Sequence, residues 1–114
     1  MSGLNRSILA GRLVADPEVR YTREETAVAN FRIAIKTTGK EANFINCVAK
    51  GNLAKICGEY LKKGKLVAVE GKLQIRKWSD KSGRVRTETE VLIEDLQMLD
   101  SRMYQAGEKA KEKP

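Results

Sequence analysis

Three features of this sequence predict an all-β fold, a five-stranded Greek-key barrel with one helix between its third and fourth strands. Five segments alternate apolar and polar residues with the period of two that a pleated strand imposes. One intervening segment switches to the helical period. A glycine, Gly71, stands in the middle of the longest alternating run, where a strand must bend to serve two sides of a barrel. The 114 residues suffice for one hydrophobic core without metals or disulfides.

The first strand is Ser7 to Val14, with Ile8, Ala10 and Arg12 on one face and Leu9, Gly11 and Leu13 on the other. Asp16-Pro17 breaks it, since proline donates no ladder hydrogen bond and restrains the residue before it. Thr26 to Lys36 is the second strand. Ala27, Ala29, Phe31, Ile33 and Ile35 form its core face, and Val28, Asn30, Arg32, Ala34 and Lys36 the other. Thr38-Gly39-Lys40 supplies a turn. Asn43 to Ala49 is the third strand, with Ile45, Cys47 and Ala49 inward and Phe44, Asn46, Val48 and Lys50 outward.

Leu53, Ile56, Cys57, Tyr60 and Leu61 then fall on one helical stripe. Asn52 suits the N-cap, and Lys62-Lys63-Gly64 suits the C-terminal end, so a short helix from Leu53 to Lys63 is expected to plug one end of the barrel. Leu66 to Trp78 is the fourth strand. Val67, Val69, Leu73 and Ile75 are expected inward, and Lys72, Gln74, Arg76 and Trp78 share the opposite parity. Ser79 to Gly83 forms a hairpin loop. Arg84 to Ile93 returns as the fifth strand, with Val85, Thr87, Thr89, Val91 and Ile93 on one face, and Leu96 to Leu99 extends it. Residues 1–100 form the domain and 101–114 a polar, flexible tail.

This order is the pattern of an OB-fold, whose second and third strands and end loops bind oligonucleotides. The charge points to the same surface. The chain carries a formal +7, and the segment Lys62–Arg86 holds nine basic residues against Glu70 and Asp80, so it accounts for the whole excess. A basic segment in a neutral background is an electrostatic footprint for a polyanion. The chain has no histidine, which removes His-based acid–base chemistry and the commonest metal ligand. Cys47 and Cys57 are expected as buried, reduced thiols. No enzyme activity, metal or cofactor is expected. No apolar run approaches the roughly 20 residues of a membrane span, and the N-terminus lacks a signal-peptide core, so a cytoplasmic protein is expected.

Binding a single strand needs cations along the phosphates and flat side chains against the bases. Arg76 and Trp78 lie two apart on one strand and face the same way, with Lys72 continuing the stripe. The lone tryptophan on a basic face points to stacking, the other reading being a ring lying over arginine stems. Phe44 is the second aromatic, the alternative there being packing within the sheet or a subunit contact. Two aromatics per chain do not bind tightly alone, so several cations or several chains must add.

Leu4-Asn5-Arg6, Ile8-Leu9, Gly11-Arg12-Leu13, Asp16 to Thr22 and Ala27 to Phe31 resemble the amino-terminal half of bacterial single-stranded DNA-binding proteins. Glu59 to Gly64, Val69 to Leu73, Arg76 to Asp80 with Ser82-Gly83, and Thr89 to Val91 resemble the rest of that domain. The resemblance implies an OB-fold homotetramer that wraps single-stranded DNA without sequence specificity during replication, recombination and repair, in the cytoplasm and nucleoid. It implies stacking at Trp78 and Phe44, groove cations at Arg76 and Arg86, and a basic contact at Arg6. With the outward residues of the second to fifth strands, the expected DNA-binding set is Arg6, Arg32, Lys36, Phe44, Asn46, Lys50, Lys72, Arg76, Trp78, Arg84 and Arg86.

Three departures from the family pattern stand out. The loop between Lys36 and Phe44 is short and lacks an aromatic; Lys50 stands where an aromatic is common; and the C-terminus ends in lysines and Pro114 rather than an acidic, partner-recruiting tip. The first two predict weaker binding with a steeper salt dependence. The third keeps open a second reading, a tailless primosome-type adaptor that dimerises and bridges single-stranded DNA and replication-restart proteins.

Overall fold

A computed structural model describes residues 3–39 and 41–99 of the chain. It contains β1 (Ser7–Leu13), β2 (Glu18–Tyr21), β3 (Ala27–Lys36), β4 (Ala42–Lys50), α1 (Asn52–Tyr60), β5 (Leu66–Ser79) and β6 (Val85–Met98). The strands form one sheet in the order β1-β5-β6-β4-β3-β2, and a further β1–β3 pairing closes it into a ring. All neighbours are antiparallel except β4 and β6. This is the expected OB barrel. Lys40 of the expected turn and the expected 101–114 tail lie outside the described residues.

Period-two patterning builds the core as anticipated. Ala27, Ala29, Phe31 and Ile33 of β3, Cys47 and Ala49 of β4, Val67 and Val69 of β5, and Val91 and Ile93 of β6 are all buried together. Two glycines permit closure. A Cβ on Gly11 would stand 2.4 Å from the Ala34 carbonyl oxygen, where β1 crosses onto β3. One on Gly71 would stand 2.0 Å from the Leu92 carbonyl oxygen, beside the register shift between Glu70 and Gly71.

Four local expectations are corrected. A short strand, β2, follows Pro17 and pairs along β3 from Glu18↔Asn30 to Tyr21↔Ala27. All four of its residues are exposed, and its alternation spans only four positions, too short a run to stand out in the sequence. The helix begins one residue earlier: Gly51, at φ 66°, occupies the N-cap, and Asn52 lies within the first turn. It also ends at Tyr60 rather than Lys63. Leu61 must enter the core, where it is 2% exposed, and it turns extended to do so, still donating its N–H to the Cys57 carbonyl. Lys62 to Lys65 then form a separate turn, with the Lys63 N–H donated to Asp16 Oδ1 at 2.8 Å.

The fourth correction concerns the long hairpin. Leu73, Ile75 and Val85, expected inward, are exposed. β4 pairs with β6 only over Asn46–Val48 and Glu90–Leu92, so the hairpin beyond that point is a two-stranded arm projecting past the barrel. The alternation continues, but the core it would face has ended. Leu96, expected as part of an extension, belongs to β6 itself, which runs unbroken to Met98.

Candidate nucleic-acid interface

The outer face of the sheet is assembled from strands far apart in sequence. Register places Arg32 beside Asn46, Asn46 beside Glu90, and Glu90 beside Gln74. The next rungs of the hairpin pair Arg76 with Glu88 and Trp78 with Arg86. At the other end, Arg20 of β2, Val28 of β3 and Lys50 of β4 form a row. A shallow cleft opens across these strands, lined among others by Arg20, Asn30, Val48, Lys50, Gln74, Arg76 and Glu90. Val28 and Val48, although on the outer parity, are 7% exposed and make its apolar floor.

A continuous polar chain crosses this face. Arg32 Nε donates to Asn46 Oδ1 at 2.9 Å, and Asn46 Nδ2 donates to Glu88 Oε2. Arg76 Nη2 donates to Glu88 Oε1 at 2.9 Å, while its Nε lies 3.5 Å from Glu90 Oε1. Gln74 Nε2 donates to Glu90 Oε2 at 2.8 Å. Glu90 is the one charged residue among the described residues that is buried, at 6% exposure.

The Arg76 guanidinium also lies 4.4 Å from the Trp78 ring centre, a cation–π contact. Trp78 is nevertheless 39% exposed, and Phe44 is 59% exposed. The ring thus covers an arginine and still offers surface.

The hairpin tip is ordered by Asp80. Its Oδ1 accepts from the Ser82 N–H, the Ser82 hydroxyl and the Arg84 N–H at 2.8 to 3.0 Å, and its Oδ2 accepts from Arg86 Nε at 2.9 Å. The hydrogen bonds from Arg86, Ser82 and the Arg84 backbone hold its carboxyl down to a pKa of about 2.

Of the expected site residues, Arg32, Asn46, Lys50, Arg76, Trp78 and Arg86 converge with Phe44 on this outer face. Lys36 ends β3 opposite Ala42, and Arg84 stands at the foot of the tip. Lys72 lies on the same face, opposite Leu92 and through it beside Val48, 3.6 Å from Glu94. Arg6 pairs with Glu70 at 2.5 Å, just before β1. Sequence reasoning missed Arg20, because β2 went unread, although Glu18-Val19-Arg20-Tyr21 does alternate. It also passed over Gln74, Glu88 and Glu90 as site residues, whose parity already placed them beside Arg76 and Arg86.

The comparisons with known proteins agree with this architecture. The model of the Single-strand binding protein family matches residues 4–99. A single-stranded DNA-binding protein of Oceanobacillus iheyensis is 40% identical over 111 residues, covering 92% of this chain and 69% of the relative. Those of Halalkalibacterium halodurans and Bacillus cereus are each 43% identical, over 109 and 105 residues, covering 90% and 87% of this chain and 65% and 62% of the relatives. The chain thus spans about two thirds of the length of the curated relatives it matches. With an OB ring closed at Gly11 and Gly71 and a family match that runs from Leu4 to Leu99, this chain belongs to the single-strand binding protein family.

Proposed function

We propose that this chain binds single-stranded DNA without sequence specificity, coating and protecting it during replication, recombination and repair, and that it does so in the cytoplasm as a binder rather than an enzyme. The observation that carries this reading is the pairing of half-exposed Trp78 and exposed Phe44 with cations on one outer face. Bases stack on the two rings. Lys36, Lys50 and Arg84, which make no ion pair with a described residue, follow the phosphates together with Arg20, Arg32, Arg76 and Arg86. The names of the relatives point the same way.

Titration of Trp78 fluorescence with oligo(dT), at low and high salt, tests it. Quenching that salt weakens, with duplex DNA binding more poorly, is the expected result. Oligo(U) reports how far the sugar matters. Binding by gel shift without quenching assigns Trp78 to structure alone, and no binding overturns the reading.

The assembly proposed is a homotetramer. β1 pairs fully with β5 but meets β3 only at Arg12 and Leu13, so the far edge of Ser7–Gly11 presents unpaired backbone groups that a second chain would cover. Light scattering is expected to give four chains. Two chains would instead favour the adaptor reading.

A further inference from the structure

A face that binds a polyanion is expected to be short of carboxylates, yet Glu88 and Glu90 stand in its middle. Glu88 accepts from Arg76 at 2.9 Å and also from Asn46. Glu90 lies 3.5 Å from the same guanidinium and has its other oxygen held by Gln74. Arg76 thus already has anionic oxygens on two of its nitrogens and an aromatic ring beneath it. These are the partners that a phosphate would replace.

We propose, resting on the reading that this face binds a single strand, that Glu88 and Glu90 are an internal stand-in for phosphate, which the strand must displace from Arg76. Their presence holds affinity and salt dependence below what the count of cations allows. The reason is an exchange balance. A phosphate that takes Arg76 replaces one ion pair by another, so the net gain is small. The DNA gives up a condensed counterion, but the released carboxylate takes one from solution, and the two cancel in the salt slope. Glu88 is the residue displaced, because its side chain is 32% exposed against 7% for Glu90. Glu90 keeps Gln74 and stays as the floor.

The test compares the full chain with Glu88→Gln and with Glu88→Gln/Glu90→Gln, by anisotropy of a labelled oligo(dT) across a series of salt concentrations. Glutamine keeps the shape and an acceptor oxygen while removing the charge, and the half-exposed single variant carries the test if the double one fails to fold. Glu88→Gln is expected to bind roughly threefold to tenfold tighter at low salt, with a slope steeper by about 0.7 for the one cation set free. Adding Arg76→Ala is expected to abolish the gain. Unchanged or weaker binding by Glu88→Gln, with an unchanged slope, overturns the proposal and makes Glu88 a positioning residue for Arg76. Failure of the unmodified chain to bind at all overturns the functional reading itself, which is a separate result.

Discussion

Trp78 carries the largest single expectation at the scale of one residue. Stacking of a base on an aromatic ring is worth about 1–3 kcal/mol, so Trp78→Ala is expected to weaken oligo(dT) binding about five- to 150-fold without unfolding a half-exposed site. Equilibrium titration of labelled oligo(dT) checks the loss, and a melting curve checks the fold. Gly71 is the opposite case, a residue whose role is steric. An alanine there would drive its Cβ into the Leu92 carbonyl, and Gly71→Ala is expected to cost about 1–3 kcal/mol, read from denaturant unfolding.

The two thiols make a third residue-level prediction. Burial pushes Cys47 up to about 12, helped by the neighbouring Cys57, and pushes Cys57 up to about 11. Both should resist thiol reagents in the folded protein and react once it is unfolded. Their folded pKa values lie above the ordinary 9.0, so the folded state holds its protons more tightly. That stability is fully present below about pH 9 and is lost as pH rises toward 11 and 12. Alkaline unfolding curves of the free-thiol protein and of Cys47→Ala should differ in this window.

At the scale of elements, the β5–β6 arm is the part that sequence periodicity misjudged. A period of two assigns Leu73, Ile75 and Val85 to one face, and they do share it. It carries no information on whether anything lies over that face. The barrel ends near Val91, and past it the arm has two strands and no layer to cover them. The arm's order at its far end rests on Asp80. Because its folded pKa of about 2 is below the ordinary 3.8, its contribution is present above about pH 4 and fades as pH falls through 2. Asp80→Asn is expected to loosen the tip, seen as faster amide exchange at Ser82 and Arg84, while the barrel amides stay protected.

The helix shows the same limit from the other direction. Its stripe was legible in Leu53, Ile56, Cys57 and Leu61, while Tyr60, expected on it, is 49% exposed; its end was set by Leu61 entering the core, not by the basic residues and glycine that follow. A cap signal is a local preference, and a fully buried leucine outweighs it.

For the whole molecule, the question is how much of the +7 is available to a ligand. Read along the chain, Lys62–Arg86 is a basic block. In three dimensions Arg6 meets Glu70, Lys72 meets Glu94, Arg76 meets Glu88 and Glu90, and Arg86 meets Asp80. Half of the eight cations in the expected site are thus internally paired. Eight free contacts would give a salt slope of about −6 for a single strand, and four about −3. The slope per chain is expected near the lower figure, less steep than the sequence alone suggested, as measured by the oligo(dT) salt series.

By itself the sequence determined the fold class and the parity of the residues along each strand. Strand alternation is a local signal, and each residue's parity follows from its neighbours on the same strand: Phe31, Ile33, Cys47 and Val69 read inward, Arg76 and Trp78 outward. It also carried the family, since the matched motifs run in order along the chain. Tertiary structure alone decided which charges meet. Arg32 and Asn46 are joined by the β3–β4 register, and Asn46, Glu88 and Arg76 by the placing of β6 between β4 and β5. Coulomb interaction depends on distance in space, and the closure of the ring, not spacing along the chain, sets that distance.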